Sequence, residues 1–303
     1  MNTYKIFLIL IGVFYILHIV YSLETLNLPF IVLYSRMLPW VELMLASVKK
    51  EYSKPHPQYS MKEVSGSDMR YIYSIVKDSS PFDELKLKDK ILDGLKNNSV
   101  GIWKSYSPLG EIIYLGDKET VNIQVLWRCI RLLSNKPVRI VIFAHPSLRL
   151  MPEPGHPVGA KHINGGYANR CDGRSIVIYR KEELTRVLIH ELLHASCSDP
   201  YSSNTSDLES NTEAWAEIIQ CAMVAGGDQA KWMMAMNRQV DYSLKQSATL
   251  RDNHSVLSKA DYAWRYTTGK FDVWRTLGLN IPDLPTNYTP VVSLRLTIEE
   301  PTY

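Results

Sequence analysis

The chain has 303 residues, enough for one large or two small domains, and its 46% hydrophobic content can supply a real core. A net charge of +3, with basic residues scattered rather than striped, excludes a surface built to bind nucleic acid through phosphate contacts. The sequence has no internal repeat, long low-complexity tract or Gly-rich phosphate loop.

Residues 1–24 depart from globular composition. Ile6 to Val20 (IFLILIGVFYILHIV) is uncharged when His18 is neutral, and the apolar run continues to Leu23. Its length of roughly 18 residues is just enough to span a bilayer as a helix. The rival is a cleaved signal peptide, but Tyr21-Ser22-Leu23-Glu24 is a poor small-x-small cleavage site. The expectation is a single-pass N-terminal membrane anchor, with the side of the membrane undetermined. Residues 25–50 are also apolar, but Pro29, Arg36, Pro39 and Glu42 interrupt them. That favours an interfacial or domain-packing helix over a second span.

Residues 51–135 form a mostly helical region. Glu51 to Ser60 is a polar, Pro-containing linker. Met61 to Lys77 and Pro81 to Asn97 read as amphipathic helices, Glu111 to Leu115 as a strand, and Lys118 to Asn135 as a helix. Residues 136–226 open with Val138 to Phe143, apolar enough for a central strand. The Pro- and Gly-rich segment from His145 to Arg174 is a long loop of the kind that carries function, here a lip over a cleft. His156 and His162 within it read as loop histidines in solvent. Ser175 to Tyr179 (SIVIY) is β-branched and reads as the edge strand before a helix from Lys181 to Ala195. A polar connection, Cys197 to Ser210, leads to a second helix, Asn211 to Ala225, with Asn211 as N-cap. Its Asp199 and Asp207 read as solvated. Residues 227–279 look helical, with a stripe of aromatics and methionines best explained as core. Residues 280–303 carry four prolines and should be extended, wrapping the domain or binding a protein partner.

Four cysteines (Cys129, Cys171, Cys197, Cys221) form no C-x-x-C pair and permit two disulfides without requiring them. Cys197 reads as packing or half of a disulfide. N-glycosylation sequons at Asn97, Asn204, Asn253 and Asn287 matter only if the domain faces a secretory lumen.

The chemistry concentrates in His190-Glu191-Leu192-Leu193-His194. On a helix, positions i and i+4 share a face, so both imidazoles can reach one metal, with Glu191 placed as a base beside it. Glu213, on the second helix, can supply a third ligand. Two His and one Glu with the fourth position open is the ligand set of a catalytic rather than a structural zinc.

His190-Glu191-x-x-His194 followed by Glu213-x-x-x-Glu217 resembles the zincin metallopeptidases in their gluzincin arrangement, over about Val138 to Ala225. The stretch from Gly165 to His194 also resembles metalloproteases inferred in large DNA viruses. The gluzincin resemblance implies Zn2+ held by His190, His194 and Glu213, with Glu191 as general base. It implies Glu217 as the acidic residue that orients a ligating imidazole, although the family usually has Asp there. It further implies a His or Tyr downstream that stabilises the oxyanion. His254, Tyr262 and Tyr266 are the candidates, with His254 first because the downstream region has no other histidine. The Cys197 and Pro200 positions break the metzincin pattern.

The expected fold is therefore α+β. A zincin-like domain with a small mixed sheet and two ligand-bearing helices is followed by a helical subdomain, with the cleft between them. The expected function is a membrane-anchored zinc endopeptidase acting on a peptide or protein substrate. The alternative is a non-enzymatic structural or assembly protein, such as part of a viral particle, that retains the scaffold. An intact Glu191 argues against it, because a structural site needs the ligands but not the base.

Overall fold

The computed structural model describes residues 38–301 apart from 79, 200, 201 and 299. The expected membrane span within residues 1–24 lies outside them. Among the described residues, no helix is long and apolar enough to cross a membrane.

The first helix, α1 (Pro39–Tyr52), starts with a proline whose fixed φ suits the opening turn. It buries Trp40, Val41, Leu45 and Val48. The Trp40 indole N–H donates to the carbonyl of Leu277 at 2.9 Å, and its ring packs edge-on against Trp215 at 5.4 Å. Of the two roles expected for this apolar segment, the structure shows domain packing.

The centre of the fold is a mixed six-stranded sheet in the order β1-β2-β3-β4-β6-β5. Its strands are β1 (Ser60–Lys62), β2 (Ile102–Ser107), β3 (Gly110–Leu115), β4 (Val138–His145), β5 (Gly166–Tyr167) and β6 (Ile176–Arg180). β3, β4 and β6 run parallel, while β1, β2 and β5 join antiparallel. Successive residues point to opposite faces. Ile112, Tyr114, Ile140, Ile142, Ile176 and Ile178 face one core, while Ile113, Leu115, Val141, Phe143, Val177 and Tyr179 face another. The second core is closed by α2 (Gly66–Lys77) and α3 (Leu87–Lys96). The first is closed by α4 (Ile123–Leu133), α6 (Leu184–Ala195) and α7 (Thr205–Val224). Burial on both faces explains why β4 and β6 read as unbroken apolar runs.

The short α5 (Ala160–Ile163) lies in the long segment before β5. Beyond α7 come α8 (Gln229–His254), α9 (Trp264–Thr267) and α10 (Lys270–Thr276), all packed on α7. Trp232, Phe271 and Trp274 join the same core as α6, so these aromatics are packing residues.

Two sequence expectations change, and the C-terminal tail takes one of its two expected courses. Ser175 to Tyr179 does form a strand, but β6 is interior, buried at every position between β4 and β5. The edge strand beside it is β5, Gly166–Tyr167. The helix expected from Asn211 starts at Thr205 instead, because Asn204 is its N-cap and accepts from the Ser206 N–H at 2.9 Å. The tail wraps the domain. Gln246 Nε2 donates to the carbonyls of Ser293 and Arg295, Gln239 Nε2 donates to that of Leu296, and Glu183 Oε1 accepts from the N–H groups of Leu296 and Thr297.

Candidate metal centre and cleft

α6 carries His190, Glu191 and His194, all buried. One helical turn separates the two histidines, and their Nε2 atoms converge to 3.1 Å. From the facing helix α7, Glu209 Oε2 lies 3.3 Å from His190 Nε2 and 3.8 Å from His194 Nε2. Donors held about 2.0–2.2 Å from one tetrahedral ion sit roughly 3.3 Å apart. The spacings observed bracket that value.

The other ring nitrogens meet carboxylates as well. His194 Nδ1 is 2.8 Å from Asp199 Oδ2, and His190 Nδ1 is 2.9 Å from Glu213 Oε2, the latter off the axis of a ring N–H. Carboxylates at Nδ1 favour the tautomer that leaves Nε2 as the free donor. Both carboxylates are held in turn. Glu213 accepts two hydrogen bonds from Arg186 Nη1, at 3.0 and 2.8 Å. Asp199 accepts from Arg170 Nε at 3.2 Å.

These positions correct three expectations. Glu213 does not meet the Nε2 pair; it backs His190 from the far side, and Glu209 stands at the third corner. Glu217, expected to orient an imidazole, lies a further turn away, fully buried, where Lys270 Nζ donates to Oε1 at 2.5 Å and Gln239 Nε2 to Oε2 at 2.8 Å. Glu209, Glu213 and Glu217 are spaced i, i+4, i+8 on one helical face. Sequence spacing alone does not say which turn meets the histidines. The available signal was Asn204 with Asp207 three residues on, a helix-start pattern that places Glu209 inside the helix. Asp199, expected to be solvated, is buried on His194; Asp207 pairs with Lys259 at 2.5 Å.

The electrostatics suit a cation. Burial pulls the His190 pKa down, but the hydrogen bonds and charges of Glu209 and Glu213 overcome it and hold it up at about 10. Burial also opposes the charge on His194, yet Asp199 and Glu209 raise it to about 9. Burial alone would raise the Glu209 carboxyl, but the two imidazoles hold it well below the usual range. The pocket thus favours positive charge on its ring nitrogens, which a divalent ion can supply. Glu191 behaves in the opposite sense: burial pushes its carboxyl up against the pull of the two imidazoles, giving it basicity.

The cleft over this centre is lined by β5 and its flanks together with Glu191, Tyr266 and Leu296. A Cβ at Gly166 would lie 2.8 Å from the Val177 carbonyl oxygen and from Val187 Cγ1, and 3.3 Å from Glu191 Oε1. Only glycine lets the edge strand pass this close to Val177 and Val187, and so to Glu191. A disulfide joins Cys171 to Cys197, tying the segment after β5 to the end of α6. His254 is not in the cleft. It ends the long helix α8, and its Nδ1 lies 2.9 Å from the carbonyl oxygen of His156. Tyr266 occupies the wall instead, its ring 6.5 Å from that of His190. Tyr262 lies behind it and donates to Asn164 Oδ1 at 2.7 Å. Burial and the Glu209 charge raise the Tyr266 pKa well above the ordinary phenol value, which keeps its proton in place.

Compared with known proteins, the chain matches no family model, no curated protein and no solved structure.

Proposed function

We propose that this chain is a zinc metallopeptidase with a gluzincin-like site, tethered to a membrane by its N-terminal apolar stretch. His190, His194 and Glu209 would hold the ion, and Glu191 would act as general base. The observation that carries the reading is the convergence of His190 Nε2, His194 Nε2 and Glu209, all within 4.8 Å of one another, at the floor of a cleft edged by a β-strand. The donor set of two nitrogens and one carboxylate oxygen fits zinc. Zinc there would lower the pKa of water toward neutrality and polarise a substrate carbonyl.

The chain's own groups supply the rest. The Gly165 carbonyl accepts from the Tyr179 N–H, so the antiparallel alternation turns the Gly166 N–H and C=O outward into the cleft. An extended peptide can pair there by strand addition, which fixes its register beside Glu191. Glu191 takes the proton of the attacking water and delivers it to the leaving amine. The Tyr266 hydroxyl, held protonated, donates to the carbonyl oxygen as that oxygen gains charge.

Glu191→Gln in the full chain tests the reading. It keeps the shape of the side chain and removes the base. Peptide turnover should fall by roughly 10²–10⁴-fold with zinc content unchanged. Turnover equal to wild type would contradict the assignment.

A further inference from the structure

The sheet edge carries a feature that the catalytic reading does not use. Tyr167 follows Gly166 on β5 and so projects to the opposite face of the sheet, away from α6. There it stacks on Phe82, with ring centroids 6.0 Å apart and planes 30° from parallel. Both residues line the cleft. The Phe82 side chain is 45% exposed.

A single exposed aromatic is ordinary on a protein surface. Here, however, the turn that presents it is fixed. Tyr179 Oη donates to the Phe82 carbonyl at 2.6 Å. The Asp83 carboxylate accepts from the N–H groups of Leu87 and Lys88 at 2.9 and 3.0 Å, locking the turn to the start of α3. Tyr167 is fixed from below, where the buried Lys88 Nζ donates to its Oη at 3.3 Å and lies 5.2 Å from the ring centroid. Two rings held in place beside an open strand edge lose little freedom when they bind.

A peptide residue paired opposite Tyr167 has its side chain on the same face as Tyr167, at cross-strand contact distance. Its neighbour, opposite Gly166, lies beside Glu191. We propose that Phe82 and Tyr167 form an aromatic shelf that selects a large apolar, above all aromatic, side chain on the substrate residue opposite Tyr167. The proposal deepens the peptidase reading and rests on it, because the same peptide must lie along β5.

The test uses the full-length, zinc-loaded chain and a mixed peptide library, with two readouts. The first is the residue profile around the bonds cleaved by wild type, Phe82→Ala and Phe82→Trp. The second is the profile of peptides retained by Glu191→Gln and by Glu191→Gln/Phe82→Ala. The shelf predicts enrichment of aromatic residues at one position close to the cleaved bond. Phe82→Ala should cut that enrichment roughly tenfold, about what an aromatic pair plus its buried area supplies, and Phe82→Trp should keep it. Cleavage without aromatic enrichment, or enrichment unchanged in Phe82→Ala, overturns the shelf while the peptidase reading stands. No cleavage by wild type, with aromatic retention by Glu191→Gln that depends on Phe82, overturns the peptidase reading while the shelf stands. Neither cleavage nor retention overturns both.

Discussion

The two histidines of the centre are chemically alike, yet they are supported by different kinds of structure. His190 is backed by Glu213, which is gripped by Arg186; all three are buried and sit on the packed helices α6 and α7. His194 is backed by Asp199, on the loop after α6, and Asp199 is gripped by Arg170, whose side chain is 35% exposed. What fixes that loop is the Cys171–Cys197 bond and the Cys171 N–H, which donates to the His194 carbonyl at 2.9 Å. One imidazole is therefore oriented by the core itself, the other by a cross-linked surface loop. The same function, holding Nε2 free, is tied to folding on one side and separable from it on the other.

The sharpest way to break this contrast is to remove each supporting carboxylate. Glu213→Ala removes the hydrogen-bonded partner of the buried Arg186 and leaves it only Glu183 at 3.7 Å, a loss of up to about 3–5 kcal/mol. Thermal unfolding of the metal-free chain should show that loss as a large drop in Tm. Asp199→Asn leaves the partly exposed Arg170 able to turn to solvent and removes only the support that Asp199 gives to protonated His194, so metal-free stability should fall less than in Glu213→Ala. Zinc affinity should instead fall about 10–100-fold, read by competition with a chelating dye. Equal stability losses in the two variants would contradict the contrast.

A smaller effect comes from pH. Both imidazoles have folded-state pKa values raised above the ordinary 6.5, to about 10 and about 9. Their contribution to the stability of the metal-free fold is therefore full below about pH 6.5 and lost as pH rises through 9 to 10. Zinc needs both imidazoles neutral, so it must displace those protons. Titration calorimetry in buffers of different ionisation enthalpy should report net proton release on zinc binding at pH 7. Apparent affinity should climb with pH and flatten above about 10. Binding without proton release would contradict the charge assignment.

Much of this centre was legible before the structure. The His190 and His194 pair on a helix follows from apolar spacing around the motif, and that helix spans Leu184–Ala195. The sheet was half legible: β3 and β4 show as apolar runs, whereas β1 has only three residues and β2 carries Lys104, Ser105 and Ser107. β6 was recognisable as a strand, but its place in the sheet was not, since Ile176–Arg180 is apolar enough for either an interior or an edge position. The true edge, Gly166–Tyr167, is only two residues long and carries no strand signal because glycine is needed there for clearance from the Val177 carbonyl and Val187. The third carboxylate was missed for a geometric reason. Glu209, Glu213 and Glu217 share a helical face, and only the tertiary packing of α7 on α6 decides which turn faces the imidazoles. His254 misled because a lone downstream histidine is conspicuous in sequence, while the length of α8 carries it away from the cleft.

The most direct test is zinc titration of the full chain beside Glu209→Ala and Glu217→Ala. The account predicts one zinc per wild-type chain. It predicts a loss of affinity in Glu209→Ala beyond the roughly 100-fold reached by changes outside the ligand set. Glu217→Ala should bind within that range. No zinc bound by the folded wild type, or an unchanged affinity in Glu209→Ala, would contradict it.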